Sequence, residues 1–422
     1  MIKLFVQNRN FRSLTLFATF GSIGRGTFTI FMMWAIHAMY QSTIYTGITG
    51  FMFGAPLAAS FIVGPFVDRW SKVKVLRVVE AVKLCITTLM LVSHLFLYPG
   101  AWFLFISILI FSTATMFGSP AVIAFIPKIV EDDDLVKANV FMNMAGIVGG
   151  LSLGGVLIAM SEGELNFARF YSVIVATLLI AVLCSLLFHY KEPARTKVNE
   201  VKTPTKTYVS ELLEGFSFVK QGAMLFFAVA IMSMSFFSDI AYVNFPMLIE
   251  VHLGDASRYI LLSFLALTGG LIGSYICRAT ENKFKIGAIF SACFVLAGIA
   301  RILFVNLLSG NFTRAIAVYM LYVGFATTVS MFFTIIIQKL SPKNLISRVT
   351  TATTSLSFTT AAIGALVGGF LGTILHVDTI FFIQGGAYII IGILLYLSKP
   401  IRKLPKVSEL KASSGDSVIS EI

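Results

Sequence analysis

Five charged residues stand inside otherwise apolar stretches of this sequence: Arg25, Glu80, Lys83, Asp239 and Arg301. A charge placed in a bilayer is costly and ordinarily faces a partner or a hydrated cavity, so each is a candidate for binding or for carrying charge. Their types set the chemistry. A carboxyl in a low-dielectric span can take up and release a proton as its surroundings change, which makes Asp239 the first candidate proton carrier and Glu80 the second. A guanidinium keeps its charge and engages carboxylates and phosphates in a fork, which makes Arg25 a candidate receptor for an anionic group.

Position sharpens these roles. Arg25 stands about 12 residues into its span, or about 18 Å from the cytoplasmic end, close to the middle of a bilayer. Asp239 stands about 17 residues into the seventh span, the counterpart of the first if the chain is built from two halves. The expectation is that Arg25 and Asp239 pair across a central cavity, or that Arg25 receives an anionic substrate group while Asp239 is protonated. A fixed structural ion pair is the other reading of the same two residues. Glu80 and Lys83 are three apart, so they are expected to neutralise each other near the start of the third span and to reach interfacial water. Arg301, nearer the outer end of its span, is expected to snorkel, with a substrate or coupling role as the alternative.

The elements that must position these charges are helices. The chain has 422 residues, 57% hydrophobic and 12% charged, with a mean hydropathy of +0.89. A soluble domain carries about 25% charged residues, so a soluble globular enzyme is excluded. A spanning helix needs about 20 apolar residues. Runs of that kind occupy 13–39, 44–66, 75–97, 101–126, 138–160, 169–189, 222–244, 258–278, 285–306, 313–337, 348–374 and 379–398. Between the sixth and seventh lies a long polar stretch whose end, with Val209, Leu212, Leu213, Phe216 and Val219 at helical spacing, reads as an amphipathic helix. The expected fold is therefore an all-α polytopic membrane protein with twelve transmembrane helices in two pseudo-symmetric halves. Residues 1–190 form one six-helix bundle, 191–221 a cytoplasmic linker, 222–400 a second bundle and 401–422 a cytoplasmic tail.

The net charge of +12 arises from 32 Lys and Arg against 20 Asp and Glu. In this arrangement it reports topology and not nucleic-acid binding, because about 26 of the basic residues fall in alternate segments. The opposite loops hold only Arg169, Arg258 and Arg314. Both termini are thus expected in the cytoplasm, with the chain in the plasma membrane. The first apolar run is longer than the core of a signal peptide and reads as an uncleaved span. Cys85, Cys184, Cys277 and Cys293 lie in or beside apolar runs without ligand spacing, so neither a disulfide framework nor a metal site is expected. Four consecutive acids, Glu131 to Asp134, precede the fifth span and favour a helix N-terminus. No nucleotide loop or nucleophile constellation is present, so an enzyme is not expected and any transport must draw on a gradient.

The halves echo each other. Gly64-Pro65-Phe66-Val67-Asp68-Arg69 closes the second span, and Gly273-Ser274-Tyr275-Ile276-Cys277-Arg278 closes the eighth with Gly and Arg in register. Gly150, Gly154 and Gly155 of the fifth span are matched by Gly364, Gly368 and Gly369 of the eleventh, at nearly the same offset. Small residues at every fourth position read as a helix-packing seam. The stretch from Gly64 to Leu76, with its Asp-Arg pair, resembles the loop motif between helices 2 and 3 of the major facilitator superfamily. Phe66, Ser71 and Lys72 depart from the usual residues of that motif. The resemblance implies that Gly64, Asp68 and Arg69 act as a conformational latch.

A second set of islands is similar to the branch of that superfamily that contains macrolide-efflux proteins and the enterobactin exporter. These are Phe117-Gly118-Ser119-Pro120-Ala121, Ile126-Pro127-Lys128-Ile129-Val130, Leu135-Val136-Lys137-Ala138-Asn139, Pro56, and Glu211-Leu212-Leu213-Glu214-Gly215-Phe216. In antiporters of the superfamily the fifth helix typically carries a Gly-Pro before Gly-Gly; Gly150-Leu151 replaces it here. The resemblance implies an exporter of a small amphipathic molecule, drug or macrolide-like, and so a link to antibiotic resistance; a proton gradient is the simplest driver, given the acidic residues within spans. Export of an anionic siderophore or metabolite is the alternative, favoured by Arg25; an uptake carrier or lipid flippase would use the same scaffold. The expected partners are a small-molecule substrate, protons and membrane lipid, with no cofactor. Phe28, Phe31, Met32 and Met33 in the first span, and Met232, Met234, Phe236 and Phe237 in the seventh, are the candidates for an apolar pocket lining. The 11 prolines and the abundance of Lys, Ile and Phe point to a bacterial source.

Overall fold

The computed structural model describes residues 2–63, 70–97, 100–131, 134, 138, 141–142, 167–190, 214–220, 222–254, 256–342 and 345–409. Among them every regular element is helical. In chain order these are α1 (Ile2–Gln7), α2 (Arg9–Tyr40), α3 (Thr43–Ala58), α4 (Lys72–Phe96), α5 (Ala101–Ile129), α6 (Phe167–Leu186), α7 (Gly222–Val243) and α8 (Phe245–Leu253). They continue with α9 (Ala256–Thr280), α10 (Ile286–Leu308), α11 (Phe312–Leu340), α12 (Ile346–Ile374), α13 (Val377–Leu397) and α14 (Lys399–Lys403). Nine of the described helices are long and apolar enough to cross a membrane. Two others, α2 with Arg25 and α4 with Glu80 and Lys83, match expected spans in position but stand outside that group. The expected span at 138–160 falls almost wholly outside the described residues, as do Gly64, Asp68, Arg69, Gly150, Gly154 and Gly155.

The chain divides into two units, Met1–Thr196 with Asp255–Phe264, and Lys197–Gly254 with Leu265–Ile422. In the first, α2 packs on α3 and α6, and α4 on α5 and α6. Its core joins Phe11, Leu14 and Phe17 of α2 to Leu76 and Val79 of α4 and to Phe125 of α5. The start of α2 is fixed locally: Asn8 accepts from the Phe11 amide at 2.9 Å and donates to the Ile129 carbonyl at 2.6 Å, so one side chain caps a helix and ties it to the end of another.

In the second unit α7 packs on α12, and α10 on α11 and α13. The α7–α12 contact shows what the small-residue spacing does. A Cβ at Gly364 would collide with the Phe236 carbonyl, and one at Gly368 would lie 2.6 Å from the Ile240 carbonyl. Only hydrogen at these two positions lets the helices meet backbone to backbone. Just beyond, the chain breaks at Asn244, whose amide donates to the Ile240 carbonyl at 2.9 Å and to the Gly368 carbonyl at 2.8 Å. Pro246 in the first turn of α8 lacks the N–H that a continuous helix would need, so Asn244 supplies the polar contact at the break. Of the linker, residues 214–219 are helical, with Phe218 and Val219 buried and Glu214 ion-paired to Arg348 at the start of α12.

Candidate functional site

In the first unit the charges sit where α2 meets α4. Lys83 Nζ lies 2.5 Å from Glu80 Oε1, and both residues are buried, 4% and 5% exposed. The pair therefore forms inside the unit and does not reach interfacial water as its sequence position led one to expect. Two features explain the burial. A Cβ at Gly21 of α2 would already lie 3.0 Å from Glu80 Oε1, so the glycine leaves room for the carboxylate. On the other side, the Lys83 ammonium lies 5.7 Å from the centre of the Phe111 ring, itself stacked on Phe28 at 4.0 Å. Glu80 Oε2 is buried with no hydrogen-bond partner among the described residues. Arg25 follows Gly21 by one helical turn, on the same side of α2. Its side chain is exposed, its charge reaches Lys83, and it has no ion-pair partner among the described residues.

In the second unit Arg301 corrects a second expectation. It does not snorkel: it is 4% exposed. Its guanidinium lies 4.5 Å from the centre of the Tyr322 ring, 4.6 Å from Phe381, 5.6 Å from Phe304 and 5.7 Å from Phe245. The negative faces of aromatic rings stabilise a cation that lipid would not. Arg301 Nε donates to Gln384 Oε1 at 2.7 Å, while Nη1 is buried without a partner among the described residues. The Gln384 amide in turn donates to the Tyr322 hydroxyl at 3.0 Å and to the Tyr388 hydroxyl at 3.4 Å. Tyr388 donates to the Met234 carbonyl at 3.1 Å and shares a hydrogen bond with Ser238 at 2.7 Å. A polar chain thus runs from α10 through α13 and α11 to α7. Sequence reasoning missed Gln384, Tyr322, Tyr388 and Ser238, although Gln384 and Tyr388 at i,i+4 in an apolar helix were a usable signal.

Asp239 follows Ser238 on α7, about 100° round the helix, so it does not share the face that meets Tyr388. It is half-buried and makes no ion pair with the described residues of its unit. The aromatic and Met clusters divide. Phe28, Phe31, Met32 and Met33 are core of the first unit, with Phe31 stacked on Phe170 at 4.9 Å, so they are not free to line a pocket. Met232, Met234, Phe236 and Phe237 of α7 are half-buried alongside Asp239. In α12, Thr350, Thr353, Thr359 and Thr360 hydrogen-bond back to carbonyls of their own helix. Among the described residues no cluster of His, Cys, Asp and Glu is arranged to hold a metal.

Residues 14–361, most of the chain, match the family model of the Major Facilitator Superfamily. The chain belongs to the major facilitator superfamily. Two relatives from Bacillus subtilis (strain 168) carry the same assignment. The uncharacterized MFS-type transporter YjbB is 33% identical over 160 residues, covering 36% of this chain and 39% of that protein. The uncharacterized MFS-type transporter YvqJ is 24% identical over 287 residues, covering 64% of this chain and 65% of that protein. The chain thus spans less than two thirds of the length of either relative.

Solved transporter structures share the fold. The nucleoside transporter NupG has a TM-score of 0.74 at 16% identity, covering 93% of this chain and 99% of that one. The peptide transporter POT in complex with sulfate has 0.69 at 14%, covering 94% and 96%. A bacterial homologue of the human lysosomal transporter Spinster has 0.61 at 15%, covering 93% and 95%. Superfamily membership makes this chain a multi-pass membrane protein of transporter type.

Proposed function

We propose that the protein is a proton-coupled secondary transporter that exports a small amphipathic molecule, drug or macrolide-like, by alternating access. One observation carries the reading: among charges on spanning helices, Glu80 and Lys83 neutralise each other and Arg301 is caged, whereas Arg25 and Asp239 have no ion pair among the described residues of their own units. An unneutralised carboxyl can carry a proton, and an exposed guanidinium can hold an anion or set the charge state of that carboxyl. Asp239 is the first proton carrier. Glu80 is the second, its Oε1 held by Lys83 and its Oε2 open for a proton. Arg301 acts as a positioning residue for α7, α11 and α13. The half-buried Met and Phe side chains of α7 supply adaptable apolar contact for the substrate.

The wider arrangement belongs to the same proposal. Twelve spans form halves at 1–190 and 222–400, joined by 191–221 and followed by the tail 401–422, with both termini in the cytoplasm of a bacterial cell. Gly64, Asp68 and Arg69 form the latch, and Gly150, Gly154 and Gly155 a packing seam like that made by Gly364 and Gly368. The branch with macrolide-efflux proteins and the enterobactin exporter supports the direction of transport. Export of an anionic siderophore is the second reading, favoured by the exposed cation at Arg25.

Inverted vesicles carrying the protein, energised with a pH gradient, test the choice of substrate. A labelled macrolide is expected to accumulate only while the gradient lasts. Accumulation of a catechol- or citrate-type siderophore with no movement of the macrolide would retire the drug reading and move Arg25 into substrate recognition.

A further inference from the structure

A groove of about 800 Å³ runs along the first unit between α4 and α5. At one end the Trp70 ring, 51% exposed, is stacked on Phe117 at 6.1 Å and 17°. Beside it Lys74 projects from the first turn of α4 and is exposed. Of the neighbouring cations among the described residues, Lys72 is buried and donates to the Trp70 carbonyl at 3.2 Å, and Arg77 donates to the Ser185 carbonyl at 3.1 Å. From Lys74 the wall continues through Val78 and Val82 at i,i+4 spacing, faced by Ile110 from α5. All three of these side chains are at least 36% exposed, so the groove is open along its length.

Its dimensions limit what can fill it. From Lys74 to Val82 is eight residues, or about 12 Å of helix, against about 15 Å for one leaflet of the hydrocarbon core. A partner helix would need a seam along the whole of α4, which continues to Phe96; this groove stops at mid-helix. A small anion alone would leave the apolar wall uncovered. A cation and an exposed tryptophan at the membrane surface, followed by one leaflet's length of aliphatic wall, match the headgroup and acyl chain of a single lipid.

We propose that this groove binds one anionic phospholipid, its phosphate on Lys74 and an acyl chain along Val78, Val82 and Ile110. The site is on a face of the first unit remote in role from the buried Glu80–Lys83 pair, and it stands whatever the transported substrate is.

Trp70 reports on it directly. The sequence has 3 tryptophans, so Trp34→Phe with Trp102→Phe leaves Trp70 alone. Reconstituted in phosphatidylcholine vesicles, this variant is titrated with brominated phosphatidylglycerol or brominated phosphatidylcholine, whose bromine quenches a neighbouring indole. The expected result is half-maximal quenching at about fivefold lower mole fraction of the anionic lipid, the worth of one lysine at a membrane surface. Lys74→Gln should abolish that preference, and Val78→Phe, which fills the groove and keeps the charge, should abolish it too. Equal quenching by the two lipids would overturn the proposal. So would a preference that survives Lys74→Gln, or one that survives Val78→Phe and therefore reports surface charge alone. Since Trp34 is buried, the unsubstituted protein supplies a second readout: mass spectrometry after detergent exchange should find one retained phosphatidylglycerol, lost in Lys74→Gln, and finding none would likewise count against the site.

Discussion

Asp239→Asn is expected to abolish gradient-driven accumulation while leaving exchange of substrate across the membrane within a few-fold of the original rate. At one proton per substrate, a gradient of two pH units supports accumulation of about 100-fold, because each unit is worth about 1.4 kcal/mol. Without the titrating carboxyl the ratio should fall to about one. The amide is isosteric and Asp239 makes no ion pair with the described residues of its unit, so the substitution removes the proton site without breaking an ion pair seen there. That separation between accumulation and exchange distinguishes lost coupling from lost structure, which would remove both. Arg25→Ala should weaken transport of an anionic substrate by about 10- to 100-fold, the worth of a charged hydrogen bond. For an uncharged substrate it should act on coupling instead. If Arg25 and Asp239 work as one device, the double substitution is no worse than the more severe single one. Unimpaired gradient-driven accumulation in either single variant would contradict the assignment.

Gln384→Leu is expected to destabilise the second unit by about 1.5–3 kcal/mol, the usual worth of a buried hydrogen bond to a charged group. Gln384 Oε1 is the hydrogen-bond acceptor found for Arg301 among the described residues, and Leu of similar volume leaves the guanidinium with aromatic faces only. The same change strands the Tyr322 and Tyr388 hydroxyls, and with them part of the tie to Met234 and Ser238 on α7. Thermal unfolding of the purified protein in detergent measures it. Arg301→Met combined with Gln384→Leu should recover much of the loss, since the uncompensated charge has gone. An unchanged midpoint in Gln384→Leu alone would show that Gln384 does not hold Arg301.

Nine of the expected spans were legible in the sequence because crossing a bilayer demands long apolar runs, and a lone Arg25 or Asp239 among apolar residues is conspicuous. That α12 carries a close-packing seam was legible for a similar reason, as Gly364 and Gly368 are spaced one turn apart, but not that α7 is the helix it meets. What could not be read is which way a charge turns. Snorkelling assumes that Arg301 faces lipid, whereas its cage is assembled from Phe245, Tyr322, Phe381 and Gln384 on three other helices. Likewise Glu80 is buried because Gly21, on a different helix, has no side chain to exclude it. The same holds for Phe28 and Met33, which match a pocket lining in type but are taken up by the core of their own unit. Periodicity records neighbours within one helix; these environments are made by helices far apart in sequence.

Proton movement during substrate flow tests the central claim most directly. Liposomes carrying the protein are loaded with a pH-sensitive dye and with a macrolide derivative that has no ionisable amine, then diluted into substrate-free buffer of the same pH. Proton-coupled export predicts that protons enter as macrolide leaves, so the interior acidifies faster than in protein-free liposomes, and that Asp239→Asn releases macrolide without this added acidification. Macrolide leaving through the unsubstituted protein while the interior pH follows the protein-free control would contradict the account.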